Sequence, residues 1–259
     1  MGWSTTSRCF RLGERLMIYT TFAQLYDELM DPDMYANWLD LVKTQLPANA
    51  NLLDLACGSG RLAVSLAQNG YQVAGLDLSE EMLALADYHA RQAGVELELY
   101  QGDMTDLSQL ENYEYVTCFA DSLCYLPTQA DLQACFQAVY QHLEPGGKFL
   151  FDVITPYKTD VVYPDYMYNY SDEEQAFLWN SYSGQDEHSV IHDLTFFIYD
   201  DKKAAYERLS ELHYERTYPL VTYKTMLAQA GFKQVEVNAD FARKEATKTD
   251  ERWFFICQK

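Results

Sequence analysis

The chain has 259 residues, 48% of them hydrophobic and 22% charged, which is enough apolar material for one large domain or one domain with an insertion. Its formal net charge of -20, with no Lys/Arg run, argues against the basic surface that grips a phosphate backbone, so DNA and long RNA are disfavoured as partners. No stretch approaches 18 consecutive apolar residues, and no membrane-spanning helix is expected. The six cysteines form no CxxC pair and have no histidine at zinc spacing. They read as reduced thiols of a cytoplasmic protein without a disulfide framework or a metal site.

Residues 1–16 carry Arg8, Arg11 and Arg15 against Glu14, with no apolar segment of the kind a secretory signal needs. They are expected to be a disordered leader, with Met17 as the natural start. Phe22, Leu25, Tyr26, Leu29 and Met30 recur at helical spacing until Asp31-Pro32 interrupts them. Met34, Trp38, Leu41, Val42 and Leu46 predict a second amphipathic helix, closed by Pro47.

A strand–helix alternation follows. Strands are predicted at Asn51–Ala56, Tyr71–Leu76, Val95–Tyr100, Tyr115–Ala120 and Lys148–Ile154. Helices are predicted at Arg61–Gln68, stopped by Asn69-Gly70; from the cap Ser79 to Gly94; and from Thr128 to His142. Repeated βα units imply a parallel sheet with helices on both faces, a Rossmann-like α/β fold whose ligands bind at the carboxyl ends of the strands. From Thr155 the texture changes. Residues 156–218 hold 10 of the 21 tyrosines, and alternating runs at Ser189–Tyr199 and Tyr206–Tyr214 predict antiparallel strands. The α/β pattern resumes with a helix at Thr222–Ala230 and strands at Phe232–Ala239 and Arg252–Gln258. This divides the chain into a domain made of 17–154 and 219–259 and an inserted antiparallel lid at 155–218.

The turn Asp54-Leu55-Ala56-Cys57-Gly58-Ser59-Gly60 ends the first strand, where glycines let a ligand approach the backbone and the following helix offers free N–H groups. Gly58-x-Gly60-x-x-Ala63 also satisfies a dinucleotide-binding pattern, which makes an NAD(P)-dependent oxidoreductase a rival reading. Asp54 separates the two. A carboxylate at the mouth of the turn repels a pyrophosphate and attracts the methionyl ammonium of S-adenosylmethionine (SAM). Asp77, beside Leu78, is placed to accept from both ribose hydroxyls. Asp103, within Gly102-Asp103-Met104, is placed to accept from the adenine amino group, and Met82 and Met104 to sandwich the ring.

With these residues in place, the sequence resembles the class I SAM-dependent methyltransferases. Asp54–Gly60, Asp77, Asp103, Phe119-Ala120-Asp121-Ser122 and Leu143-Glu144-Pro145-Gly146-Gly147 carry the resemblance. It is similar more narrowly to a YqeM-like bacterial branch, and more distantly to deoxysugar N-methyltransferases. Tyr19, Phe22-Ala23, Tyr26-Asp27, Leu29-Met30, Asp121-Ser122-Leu123, Tyr125-Leu126, His213, Glu215, Arg216 and Tyr218 carry this narrower likeness. The resemblance implies a seven-stranded sheet whose last strand is antiparallel, front helices folded over the cofactor, and an insertion that helps form the substrate pocket. Ala120-Asp121-Ser122-Leu123 departs from the Asn/Asp-Pro-Pro-aromatic motif of many nucleic-acid methyltransferases.

Transfer from a sulfonium needs alignment above all, and an amine acceptor also needs a base. His192, His213, Glu215 and the lid tyrosines are candidates for that base, and Arg216 for an acidic substrate group. Tyr19 and Tyr26 are candidates for the methionyl tail. The expected function is methylation of a small molecule, an amine among the options, by a monomer or homodimer. The alternative is a methyltransferase acting on structured RNA or protein.

Overall fold

A computed structural model of the chain describes Asp27 and residues 32–259. The expected leader, Tyr19, Tyr26 and the front helix apart from Asp27 lie outside the described residues. Pro32 opens α1 (Pro32–Gln45), where its fixed φ suits the first turn and its missing N–H costs nothing. The buried face of α1 is Trp38, Leu41 and Val42.

The βα units then run β1 (Asn51–Leu55), α2 (Arg61–Gln68), β2 (Gln72–Asp77), α3 (Glu80–Ala93), β3 (Glu98–Gln101), β4 (Tyr113–Cys118), α4 (Gln129–His142) and β5 (Leu143–Ile154). The caps behave as their chemistry requires. Ser79 Oγ accepts from the Met82 amide at 3.2 Å, and Thr128 Oγ1 from the Asp131 amide at 3.2 Å. Gly94 closes α3 in the left-handed conformation.

The five parallel strands continue across the chain's last elements: α5 (Leu220–Ala230), β10 (Gln234–Ala239), β11 (Lys244–Glu245) and β12 (Arg252–Gln258). The sheet order is β11-β10-β12-β5-β4-β1-β2-β3, with β12 antiparallel to both neighbours. Seven of these strands are the expected sheet; the eighth, β11, is a two-residue edge. Residues alternate between two cores along each central strand. Leu52, Leu150, Phe254 and Ile256 join one with Trp38, whereas Leu53, Phe149, Phe151 and Phe255 join the other with Phe136 and Tyr223. Phe151 and Phe255 face each other in register on β5 and β12 and stack at 4.5 Å, which pins the antiparallel strand beside β5.

Several predicted boundaries shift by a few residues, and β3 begins only at Glu98. β4 stops at Cys118, because Ala120 and Asp121 adopt left-handed φ values of 56° and 50°. β5 begins at Leu143, and the Pro145-Gly146-Gly147 stretch read as a turn becomes an irregularity in the β4–β5 ladder.

Between β5 and α5 stands a second, antiparallel sheet in the order β6-β7-β8-β9. Its strands are β6 (Met167–Ser171), β7 (Gln175–Ser183), β8 (Ser189–Asp200) and β9 (Ala205–Arg216). The sequence pattern predicted only its last two strands. Phe177, Leu194, Phe196 and Ile198 form its own small core. Its two ends are tied together, since the Thr217 hydroxyl donates to the Ile154 carbonyl at 2.6 Å.

Candidate active site

β1 leads outward to β2 and β3, and the chain then returns to place β4 on the other side of β1. The gap above β1 and β4 is therefore the topological switch point, where open α/β sheets bind ligands.

Asp77, the last residue of β2, joins three strand-end loops. Its Oδ2 accepts from the Gly58 amide at 2.8 Å, and its Oδ1 from the Ser79 amide at 2.9 Å. Its carbonyl accepts from the Gly102 amide at 3.0 Å. The glycine turn is thus held by the acid predicted to meet a ribose. Gly58 sits at φ 54°, and a Cβ added there would meet nothing within 4 Å, so the turn leaves an open cradle. Gly60 is different: its missing Cβ would lie 2.7 Å from Ala86 Cβ, so this glycine serves the close approach of α2 and α3. Ala56 takes φ 56° at the bend, and the Cys57 side chain covers Gly75. Leu78 stands 70% exposed beside Asp77, and Met82 and Met104 are half-buried. Asp103 accepts from both the amide and the hydroxyl of Thr105 at 2.8 Å, all on Oδ1.

Asp54 does not stand at the mouth of the turn. It lies inside β1, 3% exposed, and accepts a hydrogen bond from the Thr117 hydroxyl at 2.7 Å. Burial first, and then the Asp77 charge, push its pKa up to about 7, opposed by the Thr117 bond. Between the ordinary value of 3.8 and about 7, the folded state keeps a proton that the unfolded chain has released. The group's contribution to stability is therefore lost as pH rises through that window. Asp54→Asn keeps the acceptor for Thr117 and removes this loss. It should stabilise the protein by about 1–4 kcal/mol at pH 8 and by little at pH 4, read from urea melts at both values.

Asp27 was not singled out as a site residue, yet it is 7% exposed and sits on the glycine turn. It accepts from the Ser59 hydroxyl and, through both oxygens, from the Arg61 guanidinium. His89 Nε2 lies 3.7 Å away. A signal existed in the sequence: Arg61 opens a helix, where the dipole disfavours a cation, so a carboxylate partner was to be expected.

Past β4, Asp121 belongs to a buried polar cluster. Its amide donates to Asp152 Oδ1 at 2.7 Å, and its carboxylate receives the Arg252 guanidinium at 3.0 Å. Arg252 also donates to Asp152 at 2.8 Å, and the Trp38 indole donates to the other Asp152 oxygen at 2.7 Å. The Ser122 hydroxyl donates to the Phe119 carbonyl at 2.8 Å, closing the bend.

β9 brings two of the three predicted catalytic residues to this cluster. His213 Nδ1 lies 3.0 Å from the Tyr125 hydroxyl, and burial lowers its pKa. Glu215 is 7% exposed and faces Asp121, Tyr125 and Arg252; burial first, then Asp121, push its pKa up to about 8. Arg216 follows on the opposite face of the strand, against Asp186 at 3.4 Å and over the Tyr218 ring. His192 pairs with His213 across β8 and β9, 3% exposed, with its pKa lowered to about 4 by burial.

Among the described residues no helix is long and apolar enough to cross a membrane, and no group of three or more His, Cys, Asp or Glu stands ready to hold a metal ion.

An open sheet in this order, with a reversed strand near one edge and acids at three successive strand ends, defines the class I methyltransferase architecture. Known proteins agree. Residues 52–147 match the family model described as "Methyltransferase domain". The YqeM protein of Bacillus subtilis, a methyltransferase by name, is 40% identical over 244 residues, which span 94% of this chain and 98% of that one. A crystal structure of an S-adenosylmethionine-dependent methyltransferase from Clostridium acetobutylicum superposes with a TM-score of 0.81 at 29% identity, covering 92% of this chain and 97% of that one. A dTDP-3-amino-3,4,6-trideoxy-alpha-D-glucopyranose N,N-dimethyltransferase of Streptomyces venezuelae is 38% identical over 108 residues, 42% of this chain and 44% of that one. The chain belongs to the class I SAM-dependent methyltransferases, in the YqeM-like family. The oxidoreductase reading of the glycine pattern is thereby set aside.

Proposed function

We propose that the protein transfers the methyl group of S-adenosylmethionine to a small-molecule amine. The observation that carries the cofactor half is the Asp77 hub, which holds the Gly58 turn open as a cradle. In this reading Asp77 receives the ribose hydroxyls on lone pairs that its two amide donors leave over. Asp103 receives the adenine amino group, and Leu78, Met82 and Met104 cover the base. Ala56, Cys57, Gly58, Gly60 and Gly102 form the backbone wall, Asp54 supports the turn from below, and Ala120, Asp121 and Ser122 meet the reacting end. Tyr19 and Tyr26 are proposed at the methionyl tail. When bound, the cofactor supplies a methyl group on a sulfonium, open to in-line displacement.

The amine half is supported by charge. The face of β9 that carries Glu211, His213 and Glu215 is rich in carboxylates, and Glu81 of α3 also acts on Glu211. An acceptor entering there meets carboxyl groups, with Glu81 and Glu211 close enough to act on each other, and tyrosine rings, a setting that favours an amine over a phosphate. The partial likeness to an amino-sugar N,N-dimethyltransferase points the same way. We read 155–218 as the substrate-side lid, 17–154 with 219–259 as the methyltransferase domain, and 1–16 as a leader.

Titration calorimetry of the purified chain with SAM, S-adenosylhomocysteine (SAH) and NADH tests the cofactor, and a screen of primary and secondary amines against labelled SAM tests the acceptor. Micromolar binding of the first two ligands, none of NADH, and label transferred to an amine are expected; label transferred only to RNA or protein would replace the acceptor reading. The two turn glycines give a sharper check. Gly60→Ala should destabilise the fold by about 2–4 kcal/mol, through its left-handed φ and the Ala86 clash. Gly58→Ala should lose only about 1–2 kcal/mol of stability while SAM affinity falls at least about tenfold, because its methyl group enters the open cradle.

A further inference from the structure

Glu215 lies in a cluster with more carboxylates than cations. Arg252 is already shared between the part-buried Asp121 at 3.0 Å and the buried Asp152 at 2.8 Å, so an ionised Glu215 would be a third anion against one guanidinium. The other groups around it bring no compensating charge. Tyr125 and Cys124 come from the turn after β4, His213 from the same strand, and His192 from β8.

His192 is neutral, and its tautomer follows from its partners. The Trp179 indole, which can only donate, is 3.1 Å from His192 Nδ1, and the Ser181 hydroxyl is 2.7 Å from it. Nδ1 is therefore the acceptor and the ring proton sits on Nε2, 3.7 Å from Glu215 Oε1. Neither His192 Nε2 nor Glu215 Oε2 has a hydrogen-bond partner among the described residues, although both are buried. Glu215 thus presents a buried carboxyl oxygen without a protein partner beside the switch point, where a positive group would find an acceptor.

We propose that Glu215 is a specificity-determining residue that rests as a neutral carboxylic acid and ionises when a sulfonium occupies the switch point, so that the site favours SAM over its neutral product SAH. The step is an ionisation: the Glu215 O–H bond breaks, its electron pair stays on the carboxylate, and the proton passes to solvent buffer. SAM and SAH carry the same adenine and ribose; the tail ammonium, which the nearby sulfonium makes more acidic in SAM, contributes alike in wild type and Glu215→Gln, so comparison with that variant isolates Glu215. The difference that remains is the sulfonium charge.

This inference rests on the cofactor reading above, and its test separates the two. SAM and SAH are titrated into the whole chain at pH 7 in buffers of different ionisation enthalpy, which gives the protons released by each. With Glu215 poised near pH 8, SAM is expected to release at least about half a proton more than SAH, and the SAM/SAH affinity ratio to rise about 3–10-fold between pH 6 and pH 8. In Glu215→Gln the extra proton release and most of the rise in the ratio with pH should be lost. Should that variant not fold, SAM-minus-SAH infrared difference spectra of the wild type replace it, with loss of a protonated carboxylic C=O band expected. Equal proton release by the two ligands, a difference as large in Glu215→Gln as in the wild type, or the absence of that band change overturns this inference alone. Failure of both ligands to bind overturns the cofactor reading and this inference with it.

Discussion

Asp77→Ala is expected to weaken SAM and SAH binding at least about 100-fold. The carboxylate receives the Gly58 and Ser79 amides at 2.8 and 2.9 Å, and in the proposed complex it also receives the ribose hydroxyls. A hydrogen bond to a charged group contributes about 1.5–3 kcal/mol, so the loss of two from the bound state reaches the hundredfold mark. The mutation also frees the glycine turn, so part of the loss is the cost of ordering that loop on binding. Asp77→Asn keeps one acceptor oxygen and should fall between the two. SAH shares the adenosyl part and should lose affinity by the same factor as SAM. Calorimetric titration of both variants checks this, and an unchanged Kd for Asp77→Ala would remove Asp77 from the site.

The second large effect concerns stability. Arg252→Met should destabilise the fold by about 3–5 kcal/mol at pH 7, because it strands Asp121 and Asp152 without the cation they share. In a chain of this size that corresponds to a fall in Tm of roughly 6–20 °C. The pH dependence has a defined sign. Burial already raises the Asp152 pKa, and Arg252 opposes that rise. Without the arginine the rise is unopposed, the folded state binds protons more readily than the unfolded chain, and the deficit shrinks as pH falls toward 5. Adding Asp152→Asn to Arg252→Met removes one stranded charge and should recover at least about 1 kcal/mol, read as a coupling energy in urea melts. An additive loss in the double variant would show that the charge cluster is not the cause. The Trp38 indole bond to Asp152 links this cluster to α1, so its loss should be felt at the front of the domain too.

The parts of the fold written in local chemistry were legible in the sequence. The helix at Arg61–Gln68 and the strand at Arg252–Gln258 fall where apolar periodicity and flanking turn residues place them. Ser79 and Thr128 cap helices because their side chains reach amides three residues on, a distance that needs no tertiary structure. Asp77 ends β2 and Asp103 follows β3 because the βα repeat puts the carboxyl end of each strand at the same edge of the sheet. β6 and β7 were not legible. Their mixed aromatic and polar residues give no clean alternation, and the pairing that orders them is tertiary: β7 lies along the edge of β8, and β6 along β7.

The sequence by itself therefore determined the class of fold, the glycine turn and the acids at the strand ends, since each rests on contacts within a few residues. Only the tertiary structure decided the chemistry of the buried groups. Asp121 and Arg252 are 131 residues apart in the chain, and His192 meets Glu215 only through the pairing of β8 with β9. The same holds for Asp54, whose side chain was read at the mouth of the turn and lies beneath it instead, against Thr117 on a strand 63 residues away. A carboxyl's ionisation depends on what excludes water from it and which charges stand within a few ångströms, and those neighbours are chosen by strand order and not by sequence spacing.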